Sequence, residues 1–66
     1  MQIMLNGEQK PLAENTTANQ LIAELGLTGR RLALEVNKGV LPRSAFDSYT
    51  FKAGDQVEIV HAIGGG

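Results

Sequence analysis

Only one stretch of this 66-residue chain carries apolar residues at helical spacing, and everything else is patterned for strands and turns. Thr17-Ala18-Asn19-Gln20 matches a capping box, in which the Thr hydroxyl accepts from the N3 amide and the Gln side chain reaches back to the cap. Leu21, Ile22 and Leu25 form an apolar stripe at helical period. Gly26 stands where a left-handed residue is wanted after a helix, and Leu27 can make the contact of a Schellman ending. The spacing predicts one short helix over 18–25. A single helix cannot cover two sheet faces, so the chain is limited to one sheet with the helix across one side.

The strands follow from alternation. Met1, Ile3 and Leu5 share a face at period two. Asn6-Gly7 suits a type I′ hairpin turn, because both central residues need positive φ. Glu8 to Leu12 reads as the return strand, with Lys10-Pro11 fitting an edge where a missing N–H is tolerated. Leu32, Leu34 and Val36 alternate with Ala33 and Glu35. Asn37-Lys38-Gly39 turns the chain into a brief strand at Val40-Leu41, closed by Pro42. Ser44-Ala45-Phe46-Asp47 reads as one turn, with Ser44 as its cap and Phe46 pointing inward. Tyr49 to Lys52 is a candidate short strand and Ala53-Gly54-Asp55 a turn. The last strand runs from Gln56 to Ile63, with Val57, Ile59, His61 and Ile63 on one face and Glu58, Val60 and Ala62 on the other. A crossover through a helix returns parallel and right-handed. The predicted fold class is therefore α+β: a ubiquitin-like β-grasp, one mixed sheet packed on a single helix. Residues 1–63 form that domain, and 64–66 form a flexible tail.

Composition removes most chemistries. There is no cysteine, so no disulfide, thiolate nucleophile or cysteine zinc site is available. One histidine, His61, cannot alone make a multi-histidine metal site. A formal net charge of −1 with scattered basic residues (Lys10, Arg30, Arg31, Lys38, Arg43, Lys52) lacks the electropositive footprint of a nucleic-acid binder. No apolar run approaches the ~20 residues of a membrane helix, and residues 1–20 hold no signal-peptide pattern. The expectation is a soluble, cytoplasmic protein that binds neither nucleic acid nor membrane.

Few residues invite chemistry. His61 has no partner in the sequence and reads as a structural histidine. Asp47, Asp55 and Glu58 are explained by turn and strand-surface roles, and Arg30-Arg31 by a solvated pair after the helix. No glycine-rich phosphate loop joins a strand to the helix. The tail is different. Gly64-Gly65-Gly66 extends about 10 Å beyond the last strand. It has no side chains and can thread a narrow channel. Its carboxylate is ionised at neutral pH and can attack the α-phosphate of ATP to give an acyl adenylate. A frayed end is the plainer reading of the composition. Val60 and Ala62, on the face away from the helix and leading into the tail, are a candidate docking surface.

Gly54-Asp55-Gln56-Val57-Glu58-Ile59-Val60-His61-Ala62-Ile63-Gly64-Gly65-Gly66 closely resembles the ending of the ThiS family, the sulfur carriers of thiamin biosynthesis. Val36-Asn37 with Val40-Leu41-Pro42-Arg43 is similar to that family's middle segment, and Ile3-Met4-Leu5-Asn6-Gly7-Glu8 to its opening hairpin. The resemblance covers essentially the whole chain. One departure is Phe46, where the family often has tryptophan. Molybdopterin-synthase small subunits also end in Gly-Gly, but usually run longer and often carry prolines before it.

The resemblance implies a carrier rather than an enzyme. Its Gly66 carboxylate would be adenylated by a ThiF-like adenylyltransferase using ATP and magnesium, with Gly64 and Gly65 threading the partner's active site. Sulfur from a cysteine desulfurase or another persulfide donor would convert the adenylate to a thiocarboxylate, which a ThiG-like thiazole synthase would consume. No cofactor would be bound by the carrier itself. The residues leave other readings open: a ubiquitin-like modifier joined to lysines through Gly66, a molybdopterin-type sulfur carrier, or a noncovalent β-grasp binding module.

Overall fold

A computed structural model describes residues 1–61. They form five strands and one α-helix: β1 (Gln2–Leu5), β2 (Glu8–Pro11), α1 (Ala18–Glu24), β3 (Leu32–Val36), β4 (Gly39–Leu41) and β5 (Gln56–His61). The sheet order is β2-β1-β5-β3-β4. β5 runs parallel to β1 and antiparallel to β3, and the two hairpins β1–β2 and β3–β4 close the edges. β2 and β3 thus run in the same direction, as a helical crossover requires, but the last strand of the chain lies with β1 between them. This is the single mixed sheet of a β-grasp, with α1 on one face.

The local signals explain α1 at both ends. Thr17 is the N-cap, with the Gln20 amide donating to Thr17 Oγ1 at 3.1 Å and the Thr17 amide to Gln20 Oε1 at 2.9 Å. The remaining free amides of the first turn find backbone acceptors outside the helix, Ala18 on Tyr49 at 3.1 Å and Asn19 on Phe46 at 3.0 Å. At the other end Gly26 adopts φ +73°, the Leu27 amide bonds the Ile22 carbonyl at 2.9 Å and the Gly26 amide the Ala23 carbonyl at 3.0 Å. That is a full Schellman closure.

The core is one layer between α1 and the sheet. Ala18, Leu21 and Ile22 of the helix meet Ile3, Leu34, Val57 and Ile59 of the strands, and Leu12, Phe46 and Phe51 seal the ends. Phe46 points inward as expected. Pro11 lies on the edge strand β2, opposite Gln2.

Several expectations need correction. Ser44 does not cap its turn: a 3₁₀ turn spans Arg43–Ala45 behind Pro42, whose fixed φ of −67° sets the start one residue earlier. Tyr49–Lys52 is not a strand; it contributes one bridge, Thr50 to Thr17, because the Lys52 amide is engaged by Asp55. The second hairpin turns on Asn37 and Lys38, both at positive φ, and Gly39 already belongs to β4. His61, by contrast, keeps the expected place at the end of the strand, opposite Leu32 and exposed. Ala62 and Ile63 of the expected last strand lie outside the described residues.

Candidate functional site

The tail named by the sequence (Gly64, Gly65, Gly66) lies outside the described residues, and so does Ala62. What the structure places is its root. β5 is the central strand of the sheet, and it is held from both sides by side chains as well as by backbone.

On the β1 side, the hairpin turn takes Asn6 out of the ladder at φ 50°, the left-handed region that Asn tolerates. The Asn6 amide still donates to the Val57 carbonyl at 2.8 Å, and its side-chain Oδ1 accepts from the Ile59 amide at 2.9 Å. On the β3 side, Asn37 at φ 52° does the same. Its amide donates to the Gln56 carbonyl at 2.7 Å, its Oδ1 accepts from the Gln56 amide at 2.9 Å, and its Nδ2 donates to Asp55 Oδ1 at 3.1 Å. Two turn asparagines therefore substitute for strand residues where the neighbouring strands have ended. The turn chemistry of Asn6 and Asn37 was visible in the sequence. Their grip on β5 was not, because nothing local reports a partner about 20 or 50 residues away.

Asp55 anchors the start of β5. It is buried, and its carboxylate accepts from the Lys52 amide at 2.9 Å, the Tyr49 hydroxyl at 2.8 Å and Asn37 Nδ2. Burial alone would push this carboxyl up; the three hydrogen bonds and the charge of Lys52 outweigh it and hold the group below its ordinary value. Tyr49 responds in the opposite sense, pushed up to about 12 by burial, by its hydrogen bond to Asp55 and by that residue's charge. Asp55 is thus more than the surface turn residue the sequence suggested. Asp47 is a surface partner of Asn19, and no acid–base pair forms among these carboxylates.

The face of β5 away from α1 carries Gln56, Glu58 and Val60, all exposed. Val60 is 51% exposed and lies opposite Ala33. Glu58 stands directly opposite Glu35, which in turn stands opposite Val40 on β4. Among the described residues Val40 and Val60 are the large apolar side chains left exposed. A groove of about 260 Å³ on this face is lined by Glu35, Asn37, Lys38, Gln56 and Glu58. Among the described residues no group of three or more His, Cys, Asp or Glu side chains is placed to hold a metal, and no helix is long and apolar enough to cross a membrane.

The described residues define a one-helix β-grasp domain, with Gly64-Gly65-Gly66 following the central strand in the sequence. The family comparison is specific: residues 3–66 match the model of the ThiS family, and the chain belongs to that family. It is similar to the crystal structure of the thiamine biosynthesis protein ThiS from Geobacter metallireducens, with a TM-score of 0.86, 35% identity and full coverage of both chains. It is also 36% identical over 66 residues to a thiazole synthase of Paramagnetospirillum magneticum and 39% identical over 66 residues to one of Magnetococcus marinus. In both cases all of this chain is covered but only 20% of the relative, so the chain spans a fifth of the length of these thiazole synthases.

Proposed function

We propose that this chain is a cytoplasmic sulfur carrier of thiamine biosynthesis whose Gly66 carboxylate is the loading point. The observation that carries this reading is the family match running through residue 66, glycines included. In the cycle, the carboxylate attacks the α-phosphate of ATP on a ThiF-like adenylyltransferase, with magnesium assisting and pyrophosphate leaving. A sulfane sulfur from a cysteine desulfurase or another persulfide donor displaces AMP. The product is an acyl disulfide. A thiol then attacks its donor-side sulfur and supplies two electrons, so that the S–S bond breaks, the thiocarboxylate leaves and the thiol is oxidised to a disulfide with the donor's sulfur. The thiocarboxylate donates its sulfur to a thiazole synthase, a partner supported by the thiazole synthases that contain a region similar to this chain.

The division of labour fits the physics. Ordering three glycines costs on the order of 3–6 kcal/mol, which keeps each complex weak enough to release the carrier to the next enzyme. The chain's own groups supply recognition and an acyl group, and the chemistry belongs to the enzymes it visits.

Intact-mass spectrometry after incubation with ATP, magnesium, a ThiF-like enzyme and a sulfur source is the test. The expected result is a mass change equal to exchanging one oxygen for sulfur at the C-terminus. Deleting Gly66 abolishes it while circular dichroism stays unchanged; a truncated chain that is loaded normally would overturn the assignment.

A further inference from the structure

The open face of the sheet holds two like charges for which no ion pair forms among the described residues. Glu35 and Glu58 are directly opposed across β3 and β5, and like charges in that position destabilise a sheet. The ion pairs among the described residues are Met1 with Glu14 and Lys10 with Glu24, so neither carboxylate is neutralised. Lys38 borders the same groove but pairs with neither of them. On the same face stand Val40, opposite Glu35 and 72% exposed, and Val60, two residues beyond Glu58 on β5 and 51% exposed. The acidic pair and the groove it lines therefore span β3 and β5, with exposed apolar side chains nearby on β4 and β5.

We propose that this face docks a partner-protein segment bearing an arginine, its guanidinium held between Glu35 and Glu58 and its apolar neighbours against Val40 and Val60. Arginine fits better than a point charge, because its planar fork can serve two carboxylates while its stem covers apolar surface. A second copy of this chain does not fit: a two-fold contact through this face would gather four carboxylates. With a basic partner the repulsion present in the free chain becomes attraction in the complex, which favours encounter and register. The identity of that partner as the adenylating enzyme rests on the carrier reading above; the chemistry of the surface does not.

The first experiment measures ATP–pyrophosphate exchange by the ThiF-like enzyme of the same organism as the carrier is varied. The double variant E35Q/E58Q should raise KM for the carrier about tenfold, equivalent to about 1.4 kcal/mol, with kcat unchanged. E35D/E58D, which keeps the charges, should recover most of the loss. KM for the native carrier should climb with salt, and that of the double Gln variant should not. A KM unaltered by the double Gln substitution overturns the proposal. If the native chain supports no exchange, the carrier reading fails instead, and the surface is decided by a second arm. There the peptide acetyl-Val-Arg-Val-amide is titrated into ¹⁵N-labelled chain, beside its citrulline counterpart. Saturable shifts at Glu35, Glu58 and Val60 with the arginine peptide alone sustain the proposal. Equal shifts with both peptides, or none, overturn it.

Discussion

The two faces of the sheet use the same strands for opposite purposes. Toward α1, Leu34, Val57 and Ile59 are buried in a closed core. Away from it, the intervening residues Ala33, Glu35, Glu58 and Val60 meet no covering layer among the described residues, and two of them are like charges directly opposed. Because side chains alternate along a strand, one residue in two of β3 and β5 holds the fold and the other is free to face a partner. The lesson is separability: in a domain with one thin core, stability and recognition occupy adjacent residues without sharing them. Substitutions on the two faces should therefore differ in size, and at the extremes in sign.

The largest effect is expected on the closed face. Leu34 is fully buried beneath α1, and Leu34→Ala should cost about 2–5 kcal/mol. A chain of this size has only about 3–10 kcal/mol in total, so the variant should sit close to its unfolding midpoint without denaturant. Urea denaturation measures this. A loss under about 1 kcal/mol would break the comparison, because the core would then tolerate a hole the size of a side chain.

Next comes the anchor that joins the two faces. Asp55→Ala leaves the Tyr49 hydroxyl, the Lys52 amide and Asn37 Nδ2 without their acceptor, at a cost of about 1–3 kcal/mol. The native chain should also show a matching pH dependence. The Asp55 carboxyl is held below its unfolded value of 3.8, so its contribution is complete above that value and fades as pH falls through the lower native one. Tyr49 gives the mirror image: its contribution is complete below its unfolded value of 10.0 and is lost as pH rises toward about 12. Thermal melts across both ranges should therefore sag at each end for the native chain. Asp55→Asn should flatten the acid limb, and an acid limb unchanged in that variant would assign it to other carboxylates.

What the sequence disclosed divides along the same physical line. The ends of α1 were legible because Thr17, Gln20 and Gly26 act within one or two turns of where they stand. The Asn6-Gly7 hairpin, the edge position of Pro11 and the outward aim of Val60 followed from equally local rules. The burial of Asp55 was not legible, since it depends on Tyr49 and Asn37 arriving from different segments. Nor was the Glu35–Glu58 opposition, which exists only because β5 inserts beside β3 in one register. Even a local signal misled where two competed. Ser44 is a good cap by type, but Pro42 had already fixed the turn, and the hydroxyl that bonds the Ala45 carbonyl belongs to Ser48.

Lys38 occupies an intermediate place. It holds φ 73° in the second hairpin, a conformation that costs a side-chain-bearing residue about 1–2 kcal/mol. Lys38→Gly relieves that strain against the greater unfolded-state freedom of glycine, for a net gain of up to about 1 kcal/mol. The neighbouring Gly39 is not at positive φ, so Gly39→Ala should bring no comparable gain. Thermal unfolding of the two variants separates them, and equal shifts would place the turn one residue further on.

The smallest effect tests the open face most directly. Glu58→Gln removes one charge from the Glu35 pair and touches no core residue. Relief of the repulsion should raise stability by a few tenths of a kcal/mol, about 1–3 °C in the melting midpoint of a domain this small. The gain should shrink as salt is added, because the pair is exposed to screening. Glu35→Gln should give a similar gain, and the double variant less than the sum of the two, since either substitution alone already ends the repulsion. A loss of stability in the single variants would mean that the carboxylates support the sheet, and the opposition of the two faces would fail at its clearest point. A gain in the free chain combined with weaker docking would show the reverse: a repulsion kept in the fold because a partner's cation relieves it.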